Sequence, residues 1–311
     1  MKKKESTDIS IDFAGLRLAN PVLTASGTCG YADELSDFIQ LGKLGGFITK
    51  SISAQPRKGN AVPRIVETDS GMLNAIGLAN IGVENFIRDK TPILTNMGIP
   101  IFVNVAGETI EQYISVIERL TDQKAINGFE LNISCPNVAK GGISFGTDPL
   151  QVSEITSAAK KACGNKILIV KLTPSVTDVS VTARAAVQAG ADALSLINTF
   201  TAMVIDIESR RPVLANRTGG LSGPAIKPIA VYLVNKVHKD VTKGTKIPIL
   251  GMGGIRNASD AIEFIIAGAS AVAVGTASFT DPCCVVKIAD GIKKYCERKQ
   301  TTVSELRGSL L

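Results

Sequence analysis

Eight short apolar segments, each followed by a helical pattern, constrain the fold more than any other feature of the sequence. They are near-continuous hydrophobic runs, as expected of parallel strands that are covered on both faces. The segments span residues 20–26, 45–51, 99–106, 128–134, 166–174, 193–199, 247–254 and 271–278. Eight such units in 311 residues predict an α/β fold with a parallel eight-stranded sheet, the (β/α)8 or TIM barrel.

A doubly wound open sheet is the alternative architecture. Its first strand is usually followed by a G-x-G-x-x-G turn, whereas the turn here reads SGTCGY, residues 26–31. Because no low-complexity linker divides the chain, we predict a single barrel domain over residues 1–311. Two insertions, at about residues 52–82 and 200–224, exceed ordinary loop lengths. Long loops at the carboxyl ends of barrel strands are where a lid or a binding site is expected.

Composition argues against several classes of function. No run of about 18 apolar residues suggests a membrane span. The basic N-terminus, MKKKESTDIS, lacks the apolar stretch of a signal peptide, so we expect a cytoplasmic protein. The net charge is +6, but there is no Trp and no basic stripe with interleaved aromatics, which argues against nucleic-acid binding. No cysteine–histidine spacing resembles a zinc site, and no metal is predicted.

Polar side chains gather where the predicted strands end, which in a barrel is the active-site face. A lysine that ends an apolar strand must meet an anion or a polar ligand, unless its side chain reaches the solvent at the rim. Two lysines and three asparagines at these ends are difficult to explain by packing. The residues at the ends of the first six strands are Ser26, Lys50, Ser51, Asn104, Asn132, Ser134, Cys135, Lys171, Asn198 and Thr199.

Glycines at the ends of the last two strands indicate a phosphate site. Barrels often bind phosphate in the loops after the seventh and eighth strands, through backbone N–H groups and a helix N-terminus. GMGGI, residues 251–255, and VGTAS, residues 274–278, supply glycines at both places. A tight turn explains either stretch alone. The two together favour a phosphorylated cofactor or substrate, because glycine lets the backbone approach a phosphate closely.

The fourth strand ends in ELNISCPN, residues 130–137, which places a thiol directly before a proline. Pro136 fixes its own φ and biases Cys135 towards extended geometry. A buried, inert thiol is one interpretation. A thiol near two ammonium groups can instead accept a proton, and Cys135 is the best candidate base because no histidine is available there. The glycine-rich residues that follow suit a lid over a ligand.

With these motifs in place, the chain resembles the class 1 dihydroorotate dehydrogenases, which are FMN-containing (β/α)8 barrels. The resemblance covers nearly the whole chain. It rests on ANPVLTASGTCG, TKS, NAIGLANIG, FVNVAG, ELNISCPN, VKLTP, SLINT, GGLSGPAIKP, GMGGI and VGTA. The loops at residues 137–149 and 217–228 look like class 1B, whose members pass electrons to NAD through an iron–sulfur flavoprotein.

The resemblance implies oxidation of dihydroorotate to orotate in de novo pyrimidine (UMP) biosynthesis. Cys135 would take a proton from C5, and a hydride would pass from C6 to N5 of FMN. The implied FMN contacts are Ser26, Lys50, Ser51, Asn104, Asn132, Lys171, Ile197, Gly223, Gly253, Gly254, Gly275 and Thr276. The implied substrate contacts are Lys50, Asn74, Ala75, Ile76, Gly77, Leu78, Asn132, Asn137, Asn198 and Thr199. Ala202 stands where the family pattern has a glycine, so that loop is expected to differ locally.

The resemblance also implies partners. FAD and a 2Fe–2S cluster would lie on a separate electron-transfer subunit, because this chain has no cluster-like set of cysteines. The expected assembly is a homodimer of barrels within a heterotetramer. Four alternatives stay open on the sequence: a fumarate-linked, class 1A-like enzyme; a dihydropyrimidine dehydrogenase-like flavin barrel; a lyase or aldolase with a Schiff base on Lys50 or Lys171; and a non-catalytic binding barrel.

Overall fold

The computed structural model describes residues 7–134 and 145–311. Its central sheet has eight strands, all parallel. They are β1 (Val22–Thr24), β2 (Phe47–Ile48), β3 (Ile101–Val105), β4 (Gly128–Asn132), β5 (Ile167–Lys171), β6 (Ala193–Leu196), β7 (Ile249–Met252) and β8 (Ala271–Val274). Strands that are consecutive in the chain pair with each other from β2 to β8, and β8 pairs with β1. A parallel bridge between Leu23 and Gly46 closes the ring, which confirms the predicted barrel.

Each predicted strand contains an observed one, with shorter bounds. The eighth prediction, residues 271–278, extends too far, because β8 ends at Val274 and Ala277–Thr280 is a helix. The chain turns at Gly275, whose carbonyl accepts a hydrogen bond from the Ser278 N–H at 2.9 Å. Small and apolar residues continue through this turn, so the hydrophobic run alone did not mark the end of the strand.

Helices follow the strands and cover the barrel. Side chains mark where several of them begin: the oxygens of Thr109, Asp148, Asp178 and Asn257 accept backbone N–H groups of the first helical turn. The α-helices are Asp33–Ser36, Val83–Asn85, Thr91–Thr95, Ile110–Thr121, Pro149–Ala162, Val179–Gln188, Lys227–Val237, Ala258–Ala267, Ala277–Thr280, Cys284–Lys299 and Val303–Leu306. The described residues also form 3-10 turns (Leu41–Lys43, Phe145–Thr147, Pro224–Ile226) and π-helical turns (Phe86–Lys90, His238–Thr242).

The core lies between the barrel and these helices and inside the barrel itself. Every residue of β3 and β4 is buried, as expected for strands covered on both faces. The helix Ile110–Thr121 turns Tyr113, Val116, Ile117 and Leu120 inward, a spacing of three and four residues. In the part of the chain that the structure describes, no helix combines the length and the apolar character needed to cross a bilayer.

The two long insertions meet in one antiparallel sheet. Its strand order is Phe200–Ala202, Gly219–Ser222, Gly71–Asn74 and Ile65–Thr68. A small apolar cluster of Leu73, Ala75 and Leu214 lies beneath it, and Ala202 packs against this cluster opposite Gly219. Two further hairpins pair Ile11–Phe13 with Leu16–Leu18 and Ile205–Asp206 with Arg211–Pro212. The insertions are therefore one structure, although Asn74 and Phe200, at the ends of two of its strands, are 126 positions apart in the sequence (from 74 to 200).

Candidate active site

Lys171 is the centre of a hydrogen-bonded group at the carboxyl ends of the strands. It ends β5, and its side chain is only 6% exposed. The ammonium donates to Ser26 Oγ at 2.9 Å, and it lies 3.7 Å from Glu130 Oε2. The interpretation that this lysine reaches the solvent at the rim is therefore wrong. Its charge is held inside the barrel by a hydroxyl from the end of β1 and a carboxylate from β4.

Glu130 belongs to this group and was not among the site residues predicted from the sequence. Its carboxylate is fully buried and accepts from Asn104 Nδ2 at 2.6 Å and from Ser195 Oγ at 2.8 Å. Because Asn104 lies on β3 and Ser195 on β6, a side chain from β4 that reaches both must point into the barrel. The signal was visible as an acidic residue within an apolar strand, where a buried charge requires a partner.

Asn104 connects this group to the end of β2. Its Oδ1 accepts a 2.5 Å hydrogen bond from Ser51 Oγ, and its own Nδ2 donates to Glu130. Lys50 is half-buried, and its backbone N–H donates to Gly30 O at 2.8 Å. Within residues 7–134 and 145–311, Lys50 Nζ has no hydrogen-bond or ion-pair partner, so this ammonium differs from that of Lys171 in being available to a ligand.

A second group of polar residues joins β4, β6 and the insertion sheet. Asn198 Nδ2 donates to Asn132 Oδ1 at 3.3 Å, and Asn198 Oδ1 accepts the Thr199 N–H at 2.8 Å. Gly220 lies directly against Thr199, where an added Cβ would come within 2.0 Å of Oγ1. Asn74 Nδ2 in turn donates to Gly220 O at 3.3 Å. Four of the predicted substrate residues are thus brought together across 125 positions of sequence (from 74 to 199).

Tyr113 supports this group from behind. It is fully buried on the helix that follows β3, and its hydroxyl donates to Asn132 O at 2.7 Å. This contact fixes the backbone at the end of β4. The sequence offered little signal for it, because an aromatic residue on the apolar face of a helix usually belongs to the core.

The predicted substrate segment at residues 75–78 is positioned by two asparagines. Asn60 Nδ2 donates to Ala75 O at 2.9 Å, and Asn80 Nδ2 donates to Leu78 O at 2.8 Å. These side-chain amides donate hydrogen bonds to backbone carbonyls of a segment that follows the strand Gly71–Asn74 and is not part of the sheet. Asn80 is part of the NAIGLANIG motif, whereas Asn60 belongs to no motif that would have predicted this role. The contact of residues 75–78 with a substrate stays a prediction.

Glycine backbone dominates the opposite side of the site. Gly223 and Gly254 have φ values of +94° and +75°, the left-handed region that glycine adopts without strain. They approach each other so closely that a Cβ on Gly254 would lie 2.6 Å from Gly223 O. Beside them, Thr276 Oγ1 donates to Ser222 Oγ at 2.8 Å. The loops after β7 and β8 and the end of the insertion sheet therefore meet at one place.

The remaining predicted cofactor residues adjoin the same face. A Cβ on Gly253 would lie 3.6 Å from the side chain of Ile197, which follows β6 and is buried. A Cβ on Gly275 would lie 3.3 Å from Ala25 Cβ, at the end of β1. Both glycines are thus at the carboxyl ends of strands, as predicted for the phosphate side of the barrel.

Cys135 and Asn137 lie outside the described residues, and so does most of the predicted lid. Of the described thiols, Cys29 is nearest in sequence to a strand end of the site. Burial raises the pKa of the Cys29 thiol, although a contact with the Thr28 hydroxyl opposes the shift. Cys29 therefore stays protonated at neutral pH and is a poor candidate for the base.

Comparison with known proteins agrees with this arrangement. The family model described as dihydroorotate dehydrogenase matches residues 9–296. The chain belongs to the dihydroorotate dehydrogenase family. The family resemblance of the motifs is thereby confirmed.

Two relatives in this family are named "Dihydroorotate dehydrogenase B (NAD(+)), catalytic subunit". The protein from Pelobacter propionicus is 53% identical over 97% of this chain and 98% of its own length. The protein from Geotalea uraniireducens is 52% identical over 98% of each chain. A crystal structure of DHODH from Eimeria tenella in complex with ferulenol has a TM-score of 0.80, 23% identity, and coverage of 99% of this chain and 90% of that chain. At this identity the structural likeness concerns the fold alone.

Members of the dihydroorotate dehydrogenase family are flavin-dependent, and the residues of this site fit a flavin nucleotide. Gly223 and Gly254 carry no side chain and have positive φ, so backbone groups of two loops come close together here, which suits a phosphate group. Ser222 and Thr276 add hydroxyls beside these glycines. The ammonium of Lys171, held inside the barrel, suits the part of a flavin that becomes negatively charged on reduction.

Proposed function

We propose that this chain oxidises dihydroorotate to orotate with FMN bound at the carboxyl ends of the barrel strands. We further propose that the electrons pass through a separate subunit to NAD. The observation that carries the proposal is the near full-length identity to chains named catalytic subunits of the NAD-linked enzyme. Those names favour NAD over fumarate as the final acceptor. The convergence of amide, hydroxyl and ammonium groups at one end of the barrel supports the chemistry.

The proposed cofactor site has a phosphate side and a ring side. Gly223, Gly253, Gly254, Gly275 and Thr276 would hold the phosphate, because glycine stands at four of the five positions and the loops that carry them meet at Gly223–Gly254 and Ser222–Thr276. The ring side would be formed by Ser26, Lys50, Ser51, Asn104, Asn132, Lys171 and Ile197. When bound, FMN supplies a two-electron acceptor for the C–H bond that is oxidised. The ammonium of Lys171 would stabilise the negative charge that the cofactor gains.

The proposed substrate site lies between the asparagine group and the insertion. Orotate has a carboxylate and imide groups, which side-chain amides and an ammonium can bind in a fixed orientation. Asn132, Asn198 and Asn74 supply the amides, Thr199 a hydroxyl, and Lys50 an ammonium without another partner among the described residues. Residues 75–78 and Asn137 would complete the enclosure. Such enclosure excludes water from the reacting carbons.

Cys135 is the proposed base, which would take the proton from C5 of dihydroorotate. Cys135 stands three residues beyond Asn132, the last residue of β4, whose side chain accepts a hydrogen bond from Asn198. We also propose a partner subunit with FAD and a 2Fe–2S cluster, a homodimer of barrels within a heterotetramer, and a cytoplasmic location. The phrase "catalytic subunit" in the names of the relatives supports the existence of a separate partner.

An absorption spectrum of the purified chain tests the function. We expect a flavin band that bleaches when dihydroorotate is added without oxygen. Addition of dihydrouracil to a second sample should leave the band unchanged, and borohydride with substrate should trap no covalent adduct. A folded chain without flavin, or bleaching by dihydrouracil alone, would contradict the proposal.

The Cys135→Ser variant tests the base. A serine hydroxyl is a much weaker proton acceptor at neutral pH, so we expect flavin reduction to slow by roughly 10²–10⁴-fold while FMN stays bound. Stopped-flow absorbance would measure the rate. Cys283→Ser is the matched control, because Cys283 is a half-buried thiol at the start of the C-terminal helix Cys284–Lys299. Equal rates in the Cys135 and Cys283 variants would refute the assignment.

A further inference from the structure

Lys171 is held from two sides by groups of different charge. On one side the neutral Ser26 hydroxyl accepts from its ammonium at 2.9 Å. On the other side the Glu130 carboxylate lies 3.7 Å away and is fully buried. Glu130 is itself held by the Asn104 amide at 2.6 Å and the Ser195 hydroxyl at 2.8 Å, one on each oxygen. The ammonium therefore has a hydrogen bond to one partner and charge compensation from the other.

Packing does not explain an acidic side chain at this position. A buried ion pair contributes no more to stability, on average, than apolar residues of similar volume. Glu130 is also too far inside the barrel to meet solvent. What distinguishes a carboxylate from an apolar residue here is its effect on the charge and position of Lys171.

We propose that Glu130 is a positioning residue for Lys171, and that its negative charge sets how strongly the site favours reduced over oxidised FMN. The inference rests on the proposed function, because it takes FMN as the ligand beside Lys171. Glu130 acts through the lysine and does not contact the cofactor. It holds the ammonium at the end of β5 and offsets part of its positive charge.

The direction of the effect follows from the two contacts of Lys171. If Glu130 becomes neutral, Ser26 still accepts from the ammonium, so the positive charge stays inside the barrel. Less of that charge is then offset, and it interacts more strongly with the negative charge of the reduced cofactor. Reduced FMN should bind more tightly relative to oxidised FMN, and the midpoint potential should rise.

Glu130→Gln is the variant that tests this, since glutamine has nearly the same shape without the charge. We expect the ratio of dissociation constants, oxidised FMN over reduced FMN, to rise about tenfold, which corresponds to about 30 mV for a two-electron couple. Ser195→Ala is the matched control, because it removes a neutral donor from the other oxygen of Glu130 and leaves the charge. Its potential should equal that of the wild type. Spectroelectrochemical titration of the FMN-loaded proteins measures both.

The outcomes separate this inference from the proposed function. A folded wild-type chain that binds no FMN overturns both. A wild-type chain that binds FMN, with a Glu130→Gln potential equal to that of Ser195→Ala, overturns only the role of Glu130. A purely structural role would weaken both redox states alike and leave the ratio unchanged. If Glu130→Gln does not fold, Glu130→Asp withdraws the carboxylate from Lys171. A smaller rise is then expected, and an unchanged potential would refute the inference.

Discussion

The two sides of the barrel mouth are built in different ways. Between β3 and β6 the site consists of side chains, with Glu130 joined to Asn104 by a hydrogen bond of 2.6 Å and to Lys171 by an ion pair of 3.7 Å inside the barrel. Where the loops after β7 and β8 meet the end of the insertion sheet, it consists mainly of backbone, at Gly254 and Gly223. The charged and polar side chains of the first side can stabilise a charge that changes during a reaction. The second side suits a group of constant charge, such as a phosphate.

The difference also predicts how each side fails. A buried charged side chain that loses its partner destabilises the fold, because the remaining charge cannot reach water. A glycine whose backbone lies close to another loop leaves no buried charge behind when it is substituted. A side chain added there should obstruct the cofactor site more than it destabilises the core. Substitutions on the side-chain half should therefore lower protein stability most, and those on the backbone half should lower cofactor affinity most.

The largest effect is expected for Lys171→Met. This variant leaves Glu130 buried without its cation, and we expect the free energy of unfolding to fall by about 3–5 kcal/mol. Urea denaturation of the cofactor-free protein would measure it. Lys160→Met is the control, because Lys160 pairs with Asp192 at 2.6 Å with both side chains about one-third exposed. A loss of about 1 kcal/mol or less is expected there.

A double variant sharpens this test. Lys171→Met combined with Glu130→Gln removes the unpaired charge, so most of the lost stability should return. If the double variant is no more stable than Lys171→Met alone, the destabilisation comes from lost packing of the lysine stem, and the side-chain half does not depend on charge compensation.

The barrel was predictable from sequence because each strand is an apolar run that is buried on both faces. Lys171 was found for the same reason, since a charged residue at the end of such a run has no packing explanation. Glu130 stands in the middle of a run of the same kind, and the same physical reasoning applies to it. Its place inside the strand, away from the ends where barrel sites occur, gives no local pattern that links it to Lys171.

The pairing of the two insertions in one sheet could not be predicted from patterns in the sequence. Gly219–Ser222 carries few side chains that could show an alternation of polar and apolar residues, and its partner Gly71–Asn74 is distant in the chain. The same holds for Asn60, whose amide reaches a carbonyl 15 residues away. Local patterns indicate elements, whereas contacts between loops depend on how the barrel brings strand ends together.

The backbone half is tested by Gly254→Ala. Alanine at φ +75° costs about 1–2 kcal/mol, and its Cβ would also lie 2.6 Å from Gly223 O. Gly244→Ala is the matched control, because Gly244 has φ +81° with no atom within 4 Å of the added Cβ. We expect FMN affinity, measured by fluorescence titration, to fall at least about tenfold, or about 1.4 kcal/mol, only in the Gly254 variant. Equal affinities in the two variants would show that the close approach does not serve the cofactor.

The smallest effect is expected for Thr276→Val, which tests whether the backbone half depends on hydroxyls at all. Valine keeps the shape but removes the donor to Ser222 Oγ, so we expect FMN binding to weaken by about 0.5–1.5 kcal/mol. Thr280→Val is the control at the far end of the short helix Ala277–Thr280, which Thr276 precedes; the Thr280 hydroxyl is exposed and donates to Ala277 O at 3.0 Å. If both variants bind FMN as the wild type does, the phosphate side works through backbone groups alone. The backbone half would then bind the cofactor without side-chain hydroxyls, unlike the side-chain half.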